Sequence, residues 1–240
     1  MLRRISGLIV LLFFAILVHA DPVSDLIKNS GNAKDYPGAG KLIVFDSTFS
    51  DVKETGLTFV YTHRLYKVLN SKGALDLSTI TYGYDPLSAY VEIRKVLIYK
   101  KSGETRELDI STVMDYPAPA RAIYWGAREK MIEVGRLEPG DAVEVFLFRK
   151  GFTYALLQGD EDDKYIPPMR GHFYDIIEFW SRDPVMEKVY RTAVPKGKLV
   201  QYDVYNGELQ SSVWLKDGKM IYTFSKKDIM PIPYEQGMLA

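Results

Sequence analysis

The sequence predicts an all-β fold, an antiparallel β-sandwich of about twelve strands preceded by a signal peptide and one short helix. Three observations predict it. Short runs rich in Val, Ile, Tyr, Phe and Thr recur along the chain, the composition that suits a pleated, half-buried surface. Gly, Pro, Asn and Asp punctuate those runs at the places where a chain reverses. No long amphipathic helix intervenes, which argues against a parallel α/β sheet and the nucleotide sites such sheets build.

Residues 1–20 read as an address rather than as structure. Arg3 and Arg4 give a positive start, an apolar run fills 8–18, and Val18-His19-Ala20 sets small residues where a signal peptidase cuts. The run is shorter than the roughly 20 residues needed to span a bilayer. A cleaved leader is therefore expected, which makes the protein exported, periplasmic or extracellular, with no membrane attachment after cleavage. Residues 21–40 form a short helix and lead-in: Asp21 caps, Pro22 takes the first turn, Val23, Leu26 and Ile27 lie at helical spacing, and Gly31 ends it.

The β-sandwich is expected over 41–228, followed by a connector-like tail at 229–240. Its clearest strands are 41–49, 57–69, 79–84, 90–100, 142–149, 173–180, 185–194 and 199–205, with a final pair at 212–216 and 219–224. In the second strand Leu57, Phe59, Tyr61, Leu65 and Leu69 share one parity, so that face is expected to be buried. Asp217-Gly218 is the strongest hairpin signal, because a tight primed turn needs positive φ at both central residues. Ser71-Lys72-Gly73, Lys101-Ser102-Gly103 and Pro195-Lys196-Gly197 mark further reversals.

Charge and composition exclude several functions. The 31 basic and 31 acidic residues cancel, and loss of Arg3 and Arg4 with the leader leaves the chain close to neutral, so no global field draws it onto nucleic acid. There is no cysteine, hence no disulfide, thiolate metal site or thiol nucleophile. Of the three histidines, His19 leaves with the leader, and His63 and His172 lie far apart in sequence. No cofactor and no metal site are expected. His63 shares the apolar parity of its strand and reads as a satisfied core imidazole. The acidic run at 160–163 lacks the glycine and distal glutamate of a calcium loop and reads as a solvated hairpin tip. No Gly-x-Ser-x-Gly elbow is present.

The least ordinary stretch is Asp115-Tyr116-Pro117-Ala118-Pro119-Ala120-Arg121-Ala122-Ile123-Tyr124-Trp125-Gly126. Two prolines fix an extended, donor-poor path, so it reads as a loop or sheet crossing. Tyr116, Tyr124 and Trp125 are candidate stacking surfaces for a sugar or peptide side chain, or plugs for one end of the sandwich. Arg121 is placed to clamp a carboxylate or to pair with Asp115. His172, between Gly171 and Phe173, completes the candidate binding residues because loops carry function. Trp180 and Trp214 fall in predicted strands, where core packing is the default.

Thr62-His-Arg-Leu-Tyr-Lys-Val-Leu-Asn-Ser-Lys-Gly73, Tyr84-Asp-Pro-Leu-Ser-Ala-Tyr-Val-Glu-Ile-Arg-Lys-Val96, the 115–128 segment and Gly135-Arg-Leu-Glu-Pro-Gly-Asp-Ala-Val-Glu-Val145 resemble the bacterial domain of unknown function 3857 over most of 41–225. Members of that family follow an export signal and usually precede a transglutaminase-like domain with a Cys-His-Asp triad. The resemblance implies a non-catalytic accessory β-sandwich in the bacterial envelope. Its implied partner is a protein or peptide, with a transglutaminase-like domain in cis or in trans among the candidates, received on an exposed sheet edge. Residues 229–238 resemble the connector into such a domain, and without cysteine the triad cannot be present, so no catalytic residue carries over. The alternative is a glycan-binding module that uses the Tyr116, Tyr124 and Trp125 loop on cell-wall saccharides.

Overall fold

The computed structural model describes residues 22–118, 126–152, 165 and 169–232. The leader, the 160–163 acidic run, and Arg121, Tyr124 and Trp125 lie outside the described residues. In chain order the elements are α1 (Pro22–Asn29), β1 (Lys41–Val52), β2 (Thr58–Val68), α2 (Ser71–Asp76), β3 (Thr79–Tyr84), β4 (Ala89–Tyr99), β5 (Thr105–Glu107), a turn of 3-10 helix (Ile110–Thr112), β6 (Met114–Pro117), β7 (Arg128–Glu133), β8 (Ala142–Gly151), β9 (Val185–Pro195), β10 (Gln210–Lys216) and β11 (Lys219–Ile229). The chain is thus mostly β, with eleven strands among the described residues in two sheets.

The larger sheet has eight strands in the order β10-β11-β9-β1-β2-β8-β4-β5, and the smaller has three in the order β3-β7-β6. The expected antiparallel sheet requires correction at one point. β1 and β9 run parallel, with Ser47 opposite Val189 and Phe49 opposite Arg191, so the larger sheet is mixed. Alternation of apolar and polar residues sets which face a side chain occupies and carries no information about strand direction, and the long intervening path from β1 to β9 permits either sense.

Two predicted strands are not strands. Residues 173–180 do alternate half-buried and exposed positions, as an extended chain lying on a surface must, but they join no ladder. Residues 199–205 likewise form no ladder. Ser71-Lys72-Gly73 is not a simple reversal but the start of α2: the Asn70 side chain accepts from Lys72 N at 3.0 Å and Gly73 N at 3.2 Å. Conversely the Asp217-Gly218 turn has φ of 49° and 73°, as a primed hairpin requires.

One face of the larger sheet is closed from both ends. Over β2, β8 and β4 the smaller sheet packs through Ile132 and Val134 onto Val68, Ile93, Val96, Val143 and Val145. Over β9, β1 and β11 the two extended segments pack Phe173 and Val200 onto Val52, Val194 and Tyr222. These links are polar as well: Tyr190 Oη donates to Asp175 at 2.8 Å and Val200 N donates to Tyr222 Oη at 3.2 Å. On the opposite face, α1 covers only one end, where Ile27 meets Leu42, Leu65 and Tyr99.

Candidate functional site

The face that α1 leaves open carries the most distinctive grouping of side chains. Strand register sets Arg191 of β9, Phe49 of β1, Tyr61 of β2 and Phe148 of β8 side by side in one row across four strands. Directly opposite residues in a sheet share a face, so these four side chains project together. Phe49 and Tyr61 are 37% and 41% exposed. Ring centroids are 6.4 Å apart for Phe49 and Tyr61 and 5.2 Å for Tyr61 and Phe148. A register shift between Ile93 and Lys95 brings the Arg94 guanidinium 3.7 Å above the Phe148 ring, closing the row with a second arginine. Arg94 is oriented by Glu92, to which its Nε donates at 2.7 Å.

The adjoining row holds His63. It is neither solvent-free nor unpaired: its side chain is 36% exposed, and its Nε2 lies 2.6 Å from Glu144 Oε1. Its ring stacks on Phe146 at 4.0 Å and meets Phe45 edge-on at 4.6 Å. Glu144 also accepts from Tyr99 Oη at 2.7 Å. Burial opposes ionisation of Glu144, but the hydrogen bonds from His63 and Tyr99 outweigh it and hold the carboxyl below the usual range. The satisfied imidazole expected from sequence is therefore present, but on a partly wet face. Parity had placed the whole stripe from Leu57 to Leu69 inside; Leu57, Leu65 and Leu69 are buried, while Phe59 is intermediate and Tyr61 exposed, because α1 reaches only the β2 end at Leu65.

Of the sequence-predicted binding residues only Tyr116 and His172 lie among those described, and they stand on separate parts of the chain. Tyr116 stands on edge strand β6, half-buried, with its Oη donating to Glu129 at 3.1 Å. Asp115, the anticipated partner of Arg121, accepts from Tyr84 Oη and from Arg128 Nε, both at 2.8 Å, and lies 3.3 Å from Lys130 Nζ. His172 is exposed just after a turn and lines a cavity of about 410 Å³ with Phe173, Lys198 and Val200. Lys198 is held there by the carbonyls of Glu54 at 2.6 Å and Gly171 at 2.8 Å. Trp214, expected in the core, is 41% exposed on β10. Among the described residues, no group of three or more His, Asp or Glu is placed to hold a metal ion, and no helix is long and apolar enough to cross a membrane.

Sequence reasoning missed the open row because its members come from five separate strands. Phe49 and Tyr61 were each visible as strand aromatics; their alignment with Phe148 and Arg191 is a matter of register, which parity alone does not supply.

A mixed-sheet β domain, with one face of the larger sheet closed and the other only partly covered among the described residues, is the class that these features define. The family model described as a Domain of Unknown Function with solved structure, DUF3857, matches residues 54–233, and the chain belongs to that family. No curated protein matches the sequence. Among solved structures, a crystal structure of a candidate protease from Parabacteroides distasonis is similar in fold, with a TM-score of 0.63 and 14% identity over 82% of this chain. This chain spans 37% of the length of that one. An M1 zinc metallopeptidase from Deinococcus radiodurans (TM-score 0.40, 13% identity, 79% of this chain and 40% of that chain) and a candidate nutrient-binding protein from Legionella pneumophila (TM-score 0.36, 8% identity, 80% and 64%) are far more distant.

Proposed function

We propose that the chain is a non-catalytic accessory β-sandwich module of an exported bacterial protein or protein complex, and that it receives a protein partner on its open sheet face. The observation that carries this reading is the row Arg191, Phe49, Tyr61, Phe148 and Arg94. Large aromatics and arginine are the residues enriched where proteins meet, and two exposed rings, Phe49 and Tyr61, flanked by guanidinium groups and backed by the buried Phe148, fit a partner surface whose apolar centre is rimmed by carboxylates. Several rings in this region are already covered: Arg94 lies over Phe148 and 5.5 Å from the Tyr61 ring centroid, and His63 and Phe146 stack on each other. A sugar stacks on a free flat ring, so this surface favours a protein over a glycan.

The test is site-specific photo-cross-linking in the producing cell. A benzoylphenylalanine replacing Tyr61 is expected to capture a discrete protein adduct, whereas the same group replacing Leu75, which is 75% exposed on α2, captures none. Equal capture at both positions, or none at Tyr61, removes the reading. The glycan alternative rests on Tyr116 with Tyr124 and Trp125. It is favoured only by a saturable change in tryptophan fluorescence on adding cell-wall saccharides that Trp125→Ala abolishes.

A further inference from the structure

Among the described residues each sheet has two outer strands, and three of the four are blunted. β5 is only three residues long and carries Arg106 and Glu107. β6 contains Pro117, which has no N–H to offer. β3 is six residues long, has Gly83 as its penultimate residue and is followed directly by Asp85 and Pro86. These are the devices by which natural sheets avoid pairing edge to edge. β10 has none of them. Its seven residues, Gln-Ser-Ser-Val-Trp-Leu-Lys, include no proline and only one charge, at the end, and every one is exposed.

The geometry points to a second copy of this chain as the occupant of that edge, with β10 pairing antiparallel to β10 about a two-fold axis at Val213. In the two-residue hairpin, Lys216 pairs with Lys219 next to the turn, and the pairs alternate from there. Ser212, Trp214 and Lys216 exchange hydrogen bonds with β11, while Ser211, Val213 and Leu215 turn their N–H and C=O groups outward. A two-fold at Val213 sets Val213 opposite Val213 and Ser211 opposite Leu215, so every outward group meets an outward group. The remaining pairs set Ser212 opposite Trp214 and Gln210 opposite Lys216. No like charges face each other in this register, and the single lysine of each strand lies against a neutral amide of the other copy. An isologous contact of this kind closes on itself and leaves no further β10 edge.

The surroundings of β10 are apolar in the same place. Seven of the exposed large hydrophobic residues fall within 199–215, among them Tyr205 at 79% and Leu215 at 54%. Tyr202 is tied to this edge, since its Oη lies 3.3 Å from Ser211 Oγ and its ring meets Phe224 at 4.7 Å. The pairing would therefore set Val213 of one copy against Val213 of the other, with each Leu215 diagonal to it, next to an exposed apolar rim.

Sedimentation velocity of the purified full chain over a hundredfold range of concentration is the test. A dimer that gives way to monomer on dilution is expected. Val213→Pro removes the outward N–H at the axis without touching the β11 ladder, and Val213→Lys sets two ammonium groups opposite each other. Each is expected to raise the dimer dissociation constant at least tenfold, and the loss in Val213→Lys is expected to be partly reversed by salt. Circular dichroism identifies a variant that has failed to fold, in which case the other variant decides. A chain that is monomeric throughout, or a dimer that survives both substitutions, overturns the proposal.

Discussion

Asp141 shows how one side chain can fix several loops. It is 2% exposed and accepts from Lys100 Nζ at 2.7 Å and from the backbone N–H groups of Lys101 and Glu138, both at 2.9 Å. It thus joins the end of β4 to the approach to β8. Burial works against its charge, but the Lys100 ammonium and the two backbone donors outweigh that and hold the carboxyl below the ordinary aspartate range. Asp141→Ala leaves a partly buried ammonium and two N–H groups without their acceptor, and is expected to cost about 3 kcal/mol of unfolding free energy. A folded-state pKa below the unfolded value of about 3.9 means that this contribution is present above that value and is lost as pH falls through the lower, folded one. Urea titrations of wild type and Asp141→Asn should therefore show a gap at pH 7 that narrows towards pH 3. In the sequence Asp141 was only the residue after a turn glycine. Nothing local announces that Lys100 and Lys101, some 40 residues earlier, converge on it beside the nearby Glu138 N–H.

At the scale of elements, the sequence made the long strands legible, because β1, β2, β4, β8, β9 and the β10–β11 hairpin repeat apolar residues at period two over enough positions to stand out. The short strands β5, β6 and β7 were not read. Thr105, Arg106 and Glu107 are all exposed and carry no alternation, and Pro117 in β6 argued for a loop although an edge position tolerates it. The opposite error arose at 173–180, where a real alternation marks an extended segment packed over β9 and β11 by Phe173 rather than one hydrogen-bonded in a sheet. α2 was hidden behind the turn chemistry of Ser71-Lys72-Gly73, and its packing explains the glycine. A Cβ on Gly73 would overlap the Gly40 carbonyl, so α2 and the chain entering β1 touch backbone to backbone. Gly73→Ala is accordingly expected to destabilise the fold by about 2 kcal/mol despite its better helix propensity, and Asn70→Ala by about 1 kcal/mol through loss of the cap. Chemical denaturation of the two variants checks both, and a Gly73→Ala protein as stable as wild type would show that α2 can move away from Gly40.

For the whole molecule, the two faces of the larger sheet are under different demands. The closed face buries Ile132, Val134, Val143 and Val145 completely or nearly so, and its side chains have no freedom to serve a partner. The open face keeps Phe49 and Tyr61 in water although the same sheet could present polar residues there. Two exposed rings add little to the stability of the isolated chain, so their value has to be sought in what covers them. That difference is measurable. Ile132→Ala, which opens a cavity between the sheets, is expected to cost about 2 to 5 kcal/mol, as other large-to-small core changes do. Tyr61→Ser is expected to change stability by less than about 1 kcal/mol, as exposed positions do. It should nevertheless abolish the adduct captured by a photo-cross-linker placed at Phe49, its neighbour in the row. If Tyr61→Ser instead unfolds the protein as severely as Ile132→Ala, the open face is part of the core and the docking assignment falls. Unchanged stability with a lost adduct would separate what holds this sheet together from what it is held ready to meet.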